Sequence, residues 1–174
     1  RDETFTQLYQ EGDPNPLDRV LLGYVSVPWP EPLPPDLIPL NARYGEQILL
    51  NGYILDGVSA AGETLNVTLF WSALRPPDAD YTVFVHLLDE EGNFVLGHDG
   101  VPLNGRYPTR GLLPDSPIPD PHPLTLPVDL PPGRYQIQTG LYLPATGTRL
   151  ETLDASGAPV PNGSLLLEVI GIRP

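Results

Sequence analysis

The chain has 174 residues, a formal net charge of −13, no cysteine and no methionine, and its nine basic residues are all arginines. This acidity argues against nucleic acid and anionic membrane surfaces as partners, because like charges repel. Disulfides are excluded, and no apolar run approaches the roughly 20 residues of a membrane span, so we expect no membrane insertion.

The absence of methionine predicts a fragment or a processed chain. Residues 1–39 are predicted to form an irregular lead-in, with a short β-rich stretch at 19–27, followed by a proline-rich strap. The strap, residues 28–39, contains six prolines and favours an extended polyproline II conformation. We expect the strap to pack on the domain, because it carries apolar side chains that need burial: Trp29, Leu33, Leu37 and Ile38. Residues 40–174 are predicted to form one domain.

Apolar and polar residues alternate in several short runs of that domain, which is typical of strands with one buried face. The runs are residues 46–55, 63–72, 80–88, 94–98, 122–129, 133–143, 148–153 and 164–170. Gly52 is predicted to mark a bulge. Trp71 shares a face with the leucines and valine of its run, so we predict a core residue rather than a sugar platform.

About seven strands at a spacing of roughly ten residues predict an all-β fold with little or no helix. We predict an immunoglobulin-like or jelly-roll-like antiparallel β-sandwich with long Pro-rich loops. Tyr135 follows a turn glycine by two residues, which is typical of the tyrosine corner of such sandwiches, where the hydroxyl bonds to nearby backbone.

Residues 81–88 are predicted to form a central strand with two largely apolar faces. Tyr81, Val83, Val85 and Leu87 form the face that should fill the core. The opposite face needs a cover, because it carries Phe84, His86 and Leu88. The long segment 99–121 is rich in proline and glycine but also apolar, so we predict that it folds over this second face.

Five residues are candidate ligand contacts, and they lie on the central strand and in the segments after it: His86, Asp99, Arg106, Tyr107 and Tyr142. His86 is more simply explained as a buried neutral histidine bonded to backbone than as a ligand or base. Trp29, Tyr107 and Tyr142 could stack on sugars if exposed.

Metal and cofactor signals are sparse. The acidic hairpin turn carries oxygen ligands that suit calcium, namely Asp89, Glu91 and Asn93, but it lacks the spacing of a known calcium loop. The three histidines are far apart in sequence and show no ligand spacing. We expect no cofactor.

Signals for catalysis are equally sparse, because the chain lacks cysteine and lysine and has no Gly-x-Ser-x-Gly elbow. Four acids flank the long segment and could form a hydrolytic pair: Asp89, Asp99, Asp115 and Asp120. Turns and strand ends explain these positions more simply.

Several motifs follow one another in an order that resembles a known family. They are residues 83–89 (VFVHLLD), 99–102 (DGVP), 105–109 (GRYPT), 130–135 (LPPGRY), 140–142 (GLY) and 146–150 (TGTRL). The series resembles the soluble C-terminal β-sandwich domain of bacterial membrane glycosyltransferases similar to protein O-mannosyltransferases (family 39), and covers about residues 40–171. Relatives commonly carry tryptophan and a Gly-Glu pair in the long loop, where this chain has Leu112 and Asp115-Ser116, so a ligand contact by that tryptophan is in question here.

The resemblance implies a non-catalytic accessory domain on the outer face of a bacterial cytoplasmic membrane. The catalytic carboxylates would lie in a membrane portion of the same parent protein. The partners would be an acceptor glycan or protein, or that membrane portion, for which the domain would act as a structural cap. Two alternatives remain: an independent carbohydrate-binding module of a secreted protein, and a small hydrolase.

Overall fold

The computed structural model describes residues 31–57 and 60–173. The predicted lead-in, the β-rich stretch at 19–27 and Trp29 lie outside these residues. Residues 31–37 form no strand, and a turn closes where the Leu37 amide donates to Pro34 O at 3.2 Å. Leu33 and Ile38 are 37% and 42% exposed, so the prediction that they are buried is wrong. Leu37 is half-buried, because its side chain lies against Gly52.

Eleven strands make up most of the described chain, and they are, in order, β1 (Ile38–Tyr44), β2 (Ile48–Gly57), β3 (Thr64–Ala73), β4 (Thr82–Leu88), β5 (Phe94–Gly100), β6 (Ile118–Thr125), β7 (Gly133–Leu143), β8 (Thr148–Arg149), β9 (Thr152–Leu153), β10 (Pro159–Val160) and β11 (Leu165–Ile172). The first sheet has the order β10-β9-β1-β2-β3-β6. The second has the order β11-β7-β4-β5, with β8 paired to β7.

All pairings between these strands are antiparallel, and the predicted all-β sandwich is confirmed. Within the described residues the helical segments are two single 3₁₀ turns, Thr109–Gly111 and Pro161–Gly163. No helix in this part of the chain is long and apolar enough to cross a bilayer.

The core lies between the two sheets and is filled by the inward row of each strand. In β3, Leu65, Val67, Leu69 and Trp71 are at most 1% exposed. The prediction that Trp71 is a core residue is therefore confirmed. Burying such apolar surface is the main favourable contribution to folding, at about 25 cal/mol per Å².

The bulge predicted at Gly52 is confirmed, because the β2–β3 register shifts between Leu50 and Gly52. A Cβ at this position would collide with the carbonyl oxygen of Ile38. Glycine is thus required here for β1 to approach β2.

The inward row of β4 matches the prediction, since Val83, Val85 and Leu87 are fully buried. The predicted cover of its other face is wrong. Residues 99–121 do not lie over Phe84, because the apolar side chains of this segment enter the core between the sheets instead. Tyr107 and Leu112 are both 3% exposed and belong to that core.

A buried threonine holds this segment at the start of β4. Thr109 Oγ1 donates to Ala79 O at 3.0 Å and accepts the Tyr81 amide at 2.8 Å. The segment therefore closes one end of the core rather than the outer face of the second sheet.

The predicted loop also ends too late, because β6 begins at Ile118. Pro119, Pro121 and Pro123 alternate along β6, which is the edge strand of the first sheet. Consecutive strand residues direct their backbone N–H and C=O groups to opposite edges, so prolines spaced by two all lack an N–H on the same edge, which here is the open one. All eight residues of β6 have partners on β3, and the N–H groups of the residues between the prolines face that strand.

The tyrosine corner is present as predicted. Tyr135 donates its hydroxyl hydrogen to Pro131 O at 2.9 Å, and its ring is 6% exposed. The bond ties the turn before β7 to the first residues of that strand.

Candidate functional site

A groove of about 570 Å³ lies on the outer face of the second sheet. Its floor is formed by His86 and Leu88 of β4 and by Gln138 of β7, and His86 and Gln138 are cross-strand partners. Phe94, the first residue of β5, forms one wall. Because outward side chains of adjacent strands stand in one row, the pleat itself sets this floor.

The opposite wall comes from the segment that crosses the sheet after β7. Arg149 of β8 lies next to β7, where it pairs with Tyr142. Asn162 lies within the second 3₁₀ turn, and Ser164 follows that turn. The Arg149 guanidinium stacks on the Phe84 ring, 4.5 Å from its centroid. Arg149, rather than the long loop, therefore covers Phe84.

Three of the five predicted contact residues meet beside this groove. His86 Nε2 lies 2.8 Å from Asp99 Oδ1, and the Tyr142 hydroxyl donates to Asp99 Oδ2 at 3.2 Å. The prediction that His86 bonds to backbone is wrong, because a carboxylate on the neighbouring strand β5 lies within reach. Gly97 is the cross-strand partner of His86, and a Cβ there would crowd the imidazole Cδ2 at 2.5 Å. This glycine therefore makes room for the ring.

Tyr142 keeps its proton at neutral pH. Burial, together with the charge of Asp99 and the hydrogen bond to it, raises the pKa of the Tyr142 hydroxyl. The tyrosine therefore acts as a donor to Asp99.

Phe94 is the exposed aromatic residue of the groove. Its side chain is 61% exposed, and its ring meets His86 edge-to-face at a centroid distance of 5.0 Å. An exposed aromatic ring beside polar side chains offers a flat apolar surface on which a ligand can stack.

The polar floor is held in place by its own hydrogen bonds. Ser164 donates its hydroxyl hydrogen to Gln138 Oε1 at 2.7 Å, and Gln138 Nε2 donates to Gln136 Oε1 at 3.2 Å. The Ser164 proton is thus directed to an amide and not to the imidazole of His86, whereas a serine nucleophile needs a base as its acceptor.

The other two candidates lie elsewhere. Tyr107 is buried, and its hydroxyl donates to Gly111 O at 2.9 Å. Arg106 is exposed in the same loop, where its amide donates to Leu103 O at 3.2 Å. Neither residue lines the groove.

The acidic turn is stabilised by its own side chains. Asp89 Oδ1 accepts the Asn93 amide at 2.7 Å, and Asp89 Oδ2 accepts the Asn93 side-chain N–H at 2.9 Å. These hydrogen bonds lower the pKa of Asp89. The described residues, Glu91 included, contain no group of three histidines or acids that could hold a metal ion.

The four acids proposed as a hydrolytic grouping have separate surroundings. Asp89 closes its hairpin and Asp99 accepts from His86, while Asp115 is exposed in the loop. Asp120 is 1% exposed, and its Oδ1 accepts the Leu103 amide at 2.9 Å. None of the four lines the groove.

A chain of polar side chains, two buried and one half-buried, was missed by the sequence analysis and links the two sheets. Asp120 Oδ2 accepts from His122 Nε2 at 2.8 Å, and His122 Nδ1 lies 2.8 Å from His98 Nδ1. We call these three residues the Asp–His–His chain. The Asp120 carboxylate accepts a hydrogen bond from the protonated Nε2 of His122, so in the neutral ring Nδ1 is the acceptor and His98 Nδ1 is the donor.

The Asp–His–His chain joins two sheet edges, because His98 lies on β5 and His122 on β6. One signal could have revealed it. Ile118, Asp120, His122 and Leu124 share one strand parity, so the acid and the histidine occupy the same inward row as two core residues.

The Asp–His–His chain predicts that the free energy of unfolding decreases as the pH is lowered. Burial of the ring, followed by the charge of His122, lowers the pKa of His98 below its ordinary 6.5, while Asp120 and Asp99 act in the opposite direction. The unfolded state therefore binds the proton more readily. The stabilisation is complete above pH 6.5 and is lost as the pH falls below it.

Urea unfolding at a series of pH values from 7.5 down to 5 would measure this effect. His98→Gln removes the titrating ring, so the variant should lose less stability over that interval than the parent chain. Parallel stability profiles for the two proteins would contradict the prediction.

Comparisons with known proteins assign the chain to no family: no protein-family model matches it, and no curated protein matches it.

Proposed function

We propose that this chain is a non-catalytic β-sandwich module that binds a glycan in the groove on the outer face of its second sheet. The observation that carries the proposal is Phe94, which is 61% exposed and stands over a floor of hydrogen-bonding side chains. A pyranose ring has an apolar C–H face and a rim of hydroxyls, so it suits an aromatic wall beside amide and hydroxyl groups.

The size and chemistry of the groove support a ligand of this class. Its volume of about 570 Å³ lies within the range of small-molecule sites. Gln138, Asn162 and Ser164 offer amide and hydroxyl groups, and Arg149 adds N–H donors. Their positions are set by strands and by a short turn, so little side-chain ordering is needed on binding.

Binding is favoured over hydrolysis by the surroundings of the candidate catalytic groups. The hydrogen bond from Ser164 to Gln138 leaves this hydroxyl without a base, and Asp99 already accepts hydrogen bonds from two side chains. The hydrolase alternative would need two carboxyl groups facing one cleft.

The parent protein is proposed from the sequence resemblance. On that basis the module would lie outside the cytoplasm beside the membrane portion of a bacterial glycosyltransferase and hold its acceptor glycan. An upstream reading frame with several membrane spans would support this setting. A signal peptide and a hydrolase domain upstream would favour an independent carbohydrate-binding module instead.

Phe94→Ala tests the glycan site. We expect the variant to bind glycans at least about tenfold more weakly, because the loss of one aromatic contact costs roughly 1.4 kcal/mol. A glycan array followed by calorimetry on the best ligand would measure the change.

Val128→Ala is the matched control, because Val128 is an 86% exposed apolar residue that does not line the groove. This variant should bind like the parent chain. If the parent chain bound no glycan, or if Phe94→Ala bound as tightly as the parent, the proposed site would be wrong.

A further inference from the structure

The groove differs in charge from the rest of the protein. The whole chain carries 22 acidic and nine basic residues. Among the residues that line the groove, however, there is no carboxylate, and Arg149 supplies a permanent positive charge. A neutral ligand would need no such reversal of charge.

Contacts with the sheet position Arg149 and leave several of its donors unused. Its backbone pairs with Tyr142 on β7, and its guanidinium lies over the Phe84 ring. The Arg149 Nη1 group donates a hydrogen bond to Asn162 O at 3.3 Å. A guanidinium has five N–H donors, and within residues 31–57 and 60–173 Arg149 forms no ion pair.

Asp99, which contacts the floor residue His86, forms no ion pair with Arg149. Each carboxylate oxygen of Asp99 accepts a hydrogen bond, one from His86 and one from Tyr142. The contacts of Asp99 are thus with His86 and Tyr142, and the Arg149 guanidinium keeps N–H donors for a ligand.

We propose that the ligand of this groove is an acidic glycan, a hexuronate-containing oligosaccharide whose carboxylate binds the Arg149 guanidinium. The inference rests on the proposed glycan-binding function. Guanidinium and carboxylate match as planar, two-point partners, and such charge-assisted hydrogen bonds are about twice as strong as neutral ones. The sugar carrying the carboxylate lies at the Arg149 wall, and a neighbouring sugar packs on Phe94.

The test uses matched pairs of acidic and neutral oligosaccharides on an array: galacturonan with galactan, and mannuronate-rich alginate with mannan. We expect the folded chain to bind an acidic member in preference to its neutral counterpart. Raising the salt concentration should weaken that binding, since the contact is ionic and partly exposed. Calorimetry on the best acidic ligand then gives the affinity.

Arg149→Gln should weaken binding of the acidic ligand about tenfold and binding of a neutral ligand by less, because only the acidic ligand loses a charge-assisted contact. Arg149→Lys keeps the charge but not the planar pair of N–H donors, so its affinity for the acidic ligand should lie between those of the parent chain and Arg149→Gln. Arg134→Gln is the control, because Arg134 is an exposed arginine of β7 that does not line the groove. Circular dichroism establishes that each variant is folded.

The outcomes separate the two proposals. Preference for neutral glycans, or acidic binding that Arg149→Gln leaves intact, would overturn the acidic ligand while the glycan site stands. The absence of any glycan binding would overturn both. Loss of acidic binding in Arg149→Gln with Arg134→Gln unchanged supports the inference.

Discussion

Replacing Asp120 with alanine is expected to lower the free energy of unfolding by about 3–5 kcal/mol. The carboxylate is 1% exposed and accepts from both the Leu103 amide and His122 Nε2. Alanine would leave the buried His122 N–H and the half-buried Leu103 amide without this acceptor, and it would uncouple the chain that joins β5 to β6. Urea or thermal unfolding at pH 7.5 would measure the loss.

Asp99→Ala is the matched control, because the two aspartates make the same type of contact at different depths. In each pair one carboxylate oxygen lies 2.8 Å from a histidine Nε2. The side chains of Asp120 and His122 are both 2% exposed, whereas those of Asp99 and His86 are 38% and 19% exposed. Water screens the second pair, so its loss should cost at most about 1 kcal/mol. Equal costs for the two variants would show that burial does not set the strength of these pairs.

Replacing Trp71 with alanine is expected to lower the free energy of unfolding by about 3–5 kcal/mol, because the substitution leaves a cavity in the core. Trp71 is 1% exposed, and its ring meets Tyr44 edge-to-face with centroids 5.3 Å apart. The indole N–H has no hydrogen-bond partner among the described residues, so the effect comes from lost volume and contact. Denaturant unfolding measures the cost, and glycan binding by the surviving folded fraction should be unchanged.

Tyr44→Phe, next to Trp71, is the companion variant. The Tyr44 hydroxyl is buried without a partner in the described part of the chain, and burial raises its pKa. Removing it keeps the ring contact and eliminates an unsatisfied polar group, so stability should stay equal or rise by up to about 1 kcal/mol. A loss as large as that of Trp71→Ala would contradict this account of the core.

The strands that the sequence predicted well are those with one clean apolar row. β3 and β7 were placed within a residue of their bounds, because alternation over ten or more residues leaves one arrangement in which every apolar side chain is buried. The bulge at Gly52 and the corner at Tyr135 were predictable for a related reason: each depends on one residue type with one local role.

The prolines of β6 explain the largest error. Proline content usually indicates a loop, and residues 99–121 were interpreted in that way. At an edge strand, however, every second N–H is unused, so prolines with a period of two are compatible with pairing on the other side. The spacing of the prolines, and not their number, indicates an edge strand here.

The site was predictable only where strand pairing alone brings residues together. His86 and Asp99 lie on the two strands of one hairpin, and Tyr142 lies on the other neighbour of β4. The position of Arg149 in the groove depends on the path of the chain after β7, and the position of Phe94 depends on the end of a hairpin. Neither feature has a local sequence signal. The Asp–His–His chain spans two sheets, and such contacts depend on the packing of the whole sandwich.

The row of prolines on β6 also bears on how the protein behaves at high concentration. Fibril growth by strand addition requires a line of free amide donors along an open sheet edge. Pro119, Pro121 and Pro123 remove three donors in succession from the outer edge of β6. A second molecule therefore cannot extend the first sheet on this side, and the net charge of −13 adds repulsion between molecules that approach it.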